Sequence, residues 1–337
     1  SALVSLAGSH VASVNSHGVV GISGRAIDEE DVARALEAAQ AVAIPHNREI
    51  IHVIQRGFMI DGQGGIRAPL GMHGYRLEVE AHIITAAEST VENLRQCVNA
   101  AGVEVSQFVL NPLASAEVVL SETERQMGVV VCDIGGGTTD LAIYIDGDVW
   151  HTSVLPVGGN HITSDIAHGL RLPISQAEDV KKQYGHALEA EVGADETFTI
   201  RPFGEETSIQ FSRRELATIV GARTEEIFDL ALQEIKRSGY AGLLPAGVVL
   251  TGGARQLPGL RAMASQVLAL PVRLARPENL LGLVDQLNSP AYSTSVGLLY
   301  WALLMSETAP VPTGRRPQKG APLDWNTIKN YLKRLLP

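Results

Sequence analysis

The sequence predicts an α/β protein of two lobes, with a smaller α+β unit inserted and an amphipathic helix at the C-terminal end. Three observations carry that expectation. Two buried-strand patterns, 129–134 and 247–251, run straight into glycines at 135–137 and 252–253, as in α/β sheets whose strand ends approach a ligand with bare backbone. Residues 25–108 hold a run of helix, strands and helix that reads as a self-sufficient unit. Pro310, Pro312, Gly314, Pro317, Gly320 and Pro322 fall in a stretch without apolar period, which reads as a flexible linker to a last helical segment, 323–337. With 337 residues, 45% of them hydrophobic and 19% charged, the chain is large and apolar enough to bury a sizeable core.

The stretch 129–140, VVVCDIGGGTTD, reads as a buried strand, a glycine turn and the start of a second strand continuing to Ile145, hence a β-hairpin. Gly135, Gly136 and Gly137 allow positive φ and leave the tip without Cβ atoms, so backbone N–H groups there are able to converge on a phosphate. Asp133, at the strand end, is placed to hold a Mg²⁺ through water, and Thr138 and Thr139 add hydroxyl donors. A hairpin with no ligand also accounts for the glycines, but a bland turn does not need the flanking Asp and Thr-Thr-Asp. No GxxxxGK[ST] motif occurs, so this is not a P-loop.

Taken in order, residues 1–24 give two strand patterns, 2–6 and 19–22, around turns at 8–10 and 15–18, read as a hairpin. A helix starts at Asp28 with acids in its first turn, followed by strands at 50–54, 57–60 and 77–84 and a helix over 89–101 closed by Gly102. His46, His52, His73 and His82 have no ligand spacing and read as surface or core histidines. Asn111 opens a helix to Leu120 with proline in its first turn. After the hairpin, Gly158 and Gly159 precede the helix pattern 162–168; their amides are positioned to meet the same phosphates, and a plain turn explains them as well. Glu178, Lys181 and Lys182 share one face of the next helix, as a solvated ion pair or as part of a site. Residues 190–210 are acidic and strand-poor, ending in a strand pattern at 207–211; Ser212 and Glu215 then form a capping-box pattern that starts a helix through Ile235. Gly252, Gly253 and Ala254 offer flat backbone on which a base can lie, a helix follows over 260–268, and Gly297 suits close helix packing in the helix after Pro290.

A net charge of −10 argues against a nucleic-acid surface. Cys97 and Cys132 lie far apart in regular elements, which fits a reducing compartment. No run approaches the roughly 20 apolar residues of a spanning helix. No secretory signal pattern opens the chain, and Ser1 in place of Met leads to the expectation of a processed or truncated start. In the tail, Trp325, Ile328, Tyr331, Leu332, Leu335 and Leu336 fall within an arc of roughly 140°, with Lys329, Lys333 and Arg334 beside or opposite it. Such a helix lies in a bilayer interface and pairs its cations with anionic lipid, weakly unless several act together.

The motif DIGGGTTD resembles the second phosphate motif of the actin-like ATPases, and within that group the rest of the chain is most similar to bacterial FtsA. The likeness implies an actin-like (ribonuclease H-like) two-lobed fold. Its first lobe takes 1–24, 109–127 and 287–306; the inserted subdomain 25–108, with its loop from Asp61 to Met72; the second lobe 128–175 and 247–286; and the small subdomain 176–246. The linker is 307–322 and the membrane helix 323–337. It implies ATP with Mg as cofactors, Glu178, Lys181 and Lys182 at the ribose and adenine edge, and Gly252 to Ala254 as the adenosine motif. It also implies self-association into filaments, binding of the C-terminal peptide of FtsZ and of other division proteins, and a place on the cytoplasmic face of the membrane at the division site. Members of the group carry a first phosphate motif in a stretch upstream of residue 1 here, so weak ATP binding is expected of the sequence as it stands. Where MreB has a glutamate that helps place the attacking water, this chain has Asn111, an amide that cannot act as a base, and at most weak ATPase activity follows. The alternatives are a PilM-like pilus-assembly adaptor, disfavoured by the basic tail, and a sugar-kinase-like phosphotransferase, for which no base stands beside the hairpin.

Overall fold

The computed structural model describes residues 1–41, 44–278 and 287–308. Ser1–Ala302 form one compact unit and Leu303–Pro337 a second. The amphipathic helix 323–337, with Trp325, Ile328, Lys329, Tyr331, Leu332, Lys333, Arg334, Leu335 and Leu336, and the linker beyond residue 308 lie outside the described residues.

The chain opens with β1 (Ala2–Leu6), β2 (Val11–Gly21), α1 (Glu29–Gln40), β3 (Arg48–Ile60), β4 (Gln63–Ile66), β5 (Arg76–Ala87), α2 (Glu88–Ala100) and β6 (Val105–Leu110). It continues through α3 (Asn111–Val119), α4 (Glu122–Met127), β7 (Val129–Ile134), β8 (Thr139–Ile145), β9 (Asp148–Leu155), α5 (Gly159–Leu170) and α6 (Ile174–Tyr184). The rest is β10 (Thr197–Ile200), β11 (Ile209–Ser212), α7 (Arg213–Arg237), β12 (Gly247–Thr251), α8 (Leu260–Leu268), β13 (Val272–Leu274) and α9 (Ser293–Thr308).

The central sheet runs β13-β12-β7-β8-β9. β12 is parallel to both β13 and β7, and β7, β8 and β9 form an antiparallel meander. Every residue of β7 is buried because the sheet is covered on both faces. Val130, Cys132 and Ile134 enter one core with Ile166 of α5, Phe228 of α7 and Leu260 of α8. Val129 and Val131 enter the other with Leu113 of α3 and Val296 of α9. Each such side chain contributes about 1.5–3 kcal/mol of transfer free energy. On the second face Gly297 is where α9 meets α3: a Cβ there would lie 1.8 Å from the Ala114 carbonyl oxygen.

The inserted sheet, β2-β5-β3-β4, carries α1 on one face, with Ala35 and Ala39 in a core with Phe58, Leu77 and Val79. Asp28 caps α1 through a reciprocal capping box with Asp31. The expected hairpin of residues 1–24 is not formed. β1 pairs in parallel with β6, and the turn after Leu6 delivers β2 to a different sheet, where it pairs along its whole length with β5. The two strand patterns at 50–54 and 57–60 are one strand, β3, whose register against β5 shifts twice; such bulges interrupt the period-2 pattern of a strand. β10 lies inside the stretch read as strand-poor, paired with β11, its Phe198 and Ile200 buried.

Candidate functional site

The glycine hairpin joins β7 to β8, with Asp133 opposite Asp140 and Ile134 opposite Thr139, and Gly135 N donates to Thr138 O across the turn at 2.9 Å. Positive φ is not what the three glycines supply, since none of them adopts it. They supply room. A Cβ on Gly137 would meet nothing within 4 Å, and one on Gly136 would stand 3.2 Å from the Asn160 amide. Gly158 fits beneath the tip because it lacks a Cβ, which would lie 2.7 Å from Gly135 O, 2.8 Å from Gly136 O and 3.0 Å from Thr138 O.

Two expected donor sets are engaged within the protein. Gly158 N donates to His161 Nδ1 at 3.1 Å, and Gly159 N and Asn160 N donate to the tip carbonyls of Gly135 and Gly136 at 2.9 and 2.8 Å. The start of α5 thus splints the hairpin instead of presenting those amides to a ligand. Thr139 is fully buried and donates to Val157 O at 2.8 Å, and Thr138 donates to Asp140 Oδ2 at 2.9 Å. The hydroxyl expected of Thr139 is a packing group, because its register position in β8 points it into the core.

Asp133 is buried and accepts from Thr294 at 3.1 Å; burial raises its pKa to about 6, and the Ser115 and Thr294 hydroxyls hold it down from further rise. Asp140, also buried, is pushed to about 7 by burial and by the neighbouring Asp133 charge. Asp140 Oδ1 and Asn111 Oδ1 are buried with no protein partner. Buried acceptors in that state fit a cation or its water, so the residues present suit a hydrated Mg²⁺ held through Asp133.

The second glycine turn meets the first here. Gly252 has φ +86°, and a Cβ on it would lie 2.4 Å from Asp133 Oδ1 and 2.5 Å from Ile134 O. Thr251 and Ser293 share a buried hydrogen bond of 2.6 Å just behind it. The parallel pairing of β12 with β7, Thr251 opposite Asp133, is what brings the two turns together.

A cleft of about 580 Å³ opens between the turns, lined by Gly135, Gly136, Gly159, Asn160, Glu178, Lys181, Lys182, Gly253, Ala254, Gln256, Leu257, Pro258 and Ala291. Eight of these were expected from sequence, and Gly137, Thr138, Thr139, Gly158, Gly252 and Asp133 support the wall without lining it. Lys181 Nζ ties the cleft together, 2.6 Å from Glu178 and donating to Gly159 O at 3.0 Å and Thr163 Oγ1 at 2.8 Å. Burial alone would raise the Glu178 carboxyl, but hydrogen bonds from Lys181 and Thr163 bring it below its ordinary value. Lys182 is exposed and pairs with Glu178 at 3.3 Å. The sequence reading missed Asn160, Asp140, Ser115 and Thr294. Asp140 sits within the quoted motif and Asn160 directly after Gly158 and Gly159, whereas Ser115 and Thr294 reach Asp133 only through folding.

The family model described as cell division protein FtsA matches residues 130–297, and that of the SHS2 domain inserted in FtsA matches residues 8–85. Over 303 residues the chain is 45% identical to the cell division protein FtsA of Pseudomonas aeruginosa, covering 90% of this chain and 73% of that one. It is 42% identical over 308 residues to the FtsA of Neisseria meningitidis serogroup B, covering 91% and 74%. Among solved structures it is similar to a chain of the PilM-PilN type IV pilus biogenesis complex, with TM-score 0.62, 16% identity and coverage of 89% and 79%. It is also similar to MreB5 of Spiroplasma citri bound to ADP, with TM-score 0.55, 22% identity and coverage of 66% and 67%. The likeness to these structures establishes the actin-like fold.

Proposed function

The chain belongs to the FtsA family of cell-division proteins, and from that premise we propose that it is a nucleotide-binding scaffold that links FtsZ to the cytoplasmic face of the membrane at the division site. The observation that carries the reading is the meeting of the two glycine turns, with Gly252 against Asp133 and Ile134, beside a cleft closed at its far end by Glu178, Lys181 and Lys182. A triphosphate suits the bare tip at Gly136 and Gly137, a base the flat backbone of Gly253 and Ala254, and a ribose the Glu178–Lys181 pair. ATP bound there would supply a conformational and assembly signal, and Mg²⁺ would neutralise its phosphates. Asp133 would hold the ion through water, its carboxylate oriented by the hydrogen bond from Thr294. Asn111 offers an amide where a base would speed hydrolysis, so turnover is slow and binding is the main event. The similarity to MreB5 bound to ADP supports nucleotide in this fold.

Membrane attachment, in this proposal, belongs to the tail 323–337, and filament formation sets many tails side by side, which multiplies a weak single-helix affinity. Among the described residues no helix is long and apolar enough to cross a membrane. Co-pelleting with anionic liposomes, with and without the FtsZ C-terminal peptide and ATP, tests the whole reading. Peptide carried down by the protein supports it, and protein that stays in the supernatant under every condition contradicts it.

A further inference from the structure

The turn after β12 borders two cavities. Gly253 and Ala254 line the cleft, and the next residue, Arg255, lines a second pocket of about 470 Å³ with Arg261 and Ser265. Gln256, Leu257 and Pro258 form a wall common to both.

Both guanidiniums in this second pocket are oriented. Arg255 Nε donates to the Ala275 carbonyl at 3.0 Å and Arg261 Nε to the Val272 carbonyl at 2.9 Å, so each is anchored at one end of the strand β13. Anchoring by Nε leaves four terminal N–H donors on each side chain. Among the described residues neither arginine pairs with a carboxylate, in contrast to Arg273 of the same strand, which grips Glu124 at 2.8 Å. A third guanidinium, that of Arg276, is close enough that, after burial, its charge is what lowers the Arg255 pKa. The chain carries 37 acidic residues against 27 lysines and arginines, yet among the described residues none is paired with Arg255 or Arg261. Arg255 and Arg276 are like charges near one another, with no acid paired to Arg255 among the described residues, which raises the free energy of the folded state, and an anion removes that cost.

We propose that Arg255 and Arg261 form a binding site for a phosphate-class oxyanion, separate from the nucleotide cleft and sharing its Gln256–Leu257–Pro258 wall. Two planar forks lining one pocket offer donors from more than one direction, which suits a tetrahedral oxyanion better than a lone carboxylate. A pocket of about 470 Å³ admits a soluble phosphate compound or a single lipid headgroup.

The test is calorimetric titration of the full chain with inorganic phosphate, repeated in Gly136→Val, which blocks the phosphate end of the nucleotide cleft. Saturable phosphate binding that survives Gly136→Val is expected, weakened on the order of tenfold or more in Arg255→Gln and in Arg261→Gln, as for loss of a hydrogen-bonded charge. Arg201→Gln, which removes an equal charge from a side chain that donates to the Glu205 carbonyl, should bind as wild type does. Binding abolished in Gly136→Val places the phosphate in the nucleotide cleft and overturns the proposal. So does binding unchanged in both pocket variants, equal weakening in Arg201→Gln, or no saturable heat from the wild type. The proposal does not depend on the nucleotide reading, since phosphate heat lost in Arg255→Gln stands whether or not ATP binds. A parallel flotation assay with phosphatidic acid vesicles identifies the source. Competition by soluble phosphate with the same arginine dependence supports a lipid headgroup, and indifference of the vesicles to both variants supports a free ligand.

Discussion

Gly252→Ala is the most severe single-atom-scale change the site offers, and its cost is read from the backbone and from two oxygens. Gly252 sits at φ +86°, ψ 168°, a region open almost only to glycine, and placing another residue there costs about 1–3 kcal/mol. The added methyl would lie 2.4 Å from Asp133 Oδ1 and 2.5 Å from Ile134 O. Relieving those overlaps pushes β12 away from β7 at a further cost of about 1–3 kcal/mol. Together the loss is roughly 2–6 kcal/mol, a large part of the ~5–15 kcal/mol that holds a typical domain folded. Urea unfolding followed by circular dichroism measures it, with Gly137→Ala as the control. Gly137 has no positive φ and open space around its Cβ position, so that variant should stay within about 0.5 kcal/mol of wild type. A Gly252→Ala midpoint corresponding to less than about 1 kcal/mol would refute the claim that the two glycine turns are packed against each other.

Three further outcomes follow from the same structure. Gly297→Ala sets a methyl 1.8 Å from the Ala114 carbonyl oxygen, so α9 must back away from α3 and the protein should lose on the order of 3 kcal/mol in the same urea assay. Asp133 and Asp140 have raised folded pKa values, about 6 and about 7. Their contribution to stability is therefore greatest below the unfolded carboxylate range and falls as pH rises through those values. Asp140→Asn should flatten that fall in metal-free protein, being more stable than wild type near pH 8 and losing the advantage near pH 4. The buried His52 and His82, lowered to about 4 and about 3 by burial first, slope the other way in both proteins and cancel in the difference. An advantage for Asp140→Asn that grows on acidification contradicts the assignment. In the tail, Trp325→Glu with Leu332→Glu should abolish flotation with anionic vesicles, the loss of two large apolar contacts being on the order of a few kcal/mol. Undiminished flotation removes the tail as the anchor.

The parts of the fold legible in sequence were those whose signal is local. The hairpin at 129–145 is a fully buried strand, a glycine turn and a second buried strand, and it appears at those positions. α8 and the Ser212 cap of α7 follow from periodicity and a capping residue. β1 failed as half of a hairpin because its partner, β6, lies about a hundred residues on, and nothing in a five-residue strand names a distant parallel neighbour. At the site, residue types identified which turns matter but not which atoms are free. The amide of Gly159 looked available until the tip carbonyl of Gly135 was found on it, and Thr139 looked like a ligand until Val157 took its hydroxyl. Thr294, which donates to Asp133, and Ser115, whose hydroxyl lowers the Asp133 pKa, are ordinary helix residues in sequence and acquire a role only when α3 and α9 converge on β7.

The central claim is that the cleft between the two glycine turns holds a nucleotide by its phosphates at the β7–β8 hairpin. Isothermal titration of Mg-ATP into wild type and Gly136→Val, with thermal melts of both, tests it most directly. The backbone at Gly136 needs no positive φ and its nearest neighbour is the movable Asn160 side chain, so the variant should fold. Saturable heat in the wild type, weakened tenfold or more in a variant that melts cooperatively, is the expected result, tenfold being about 1.4 kcal/mol. Equal affinity in the two proteins would contradict the account.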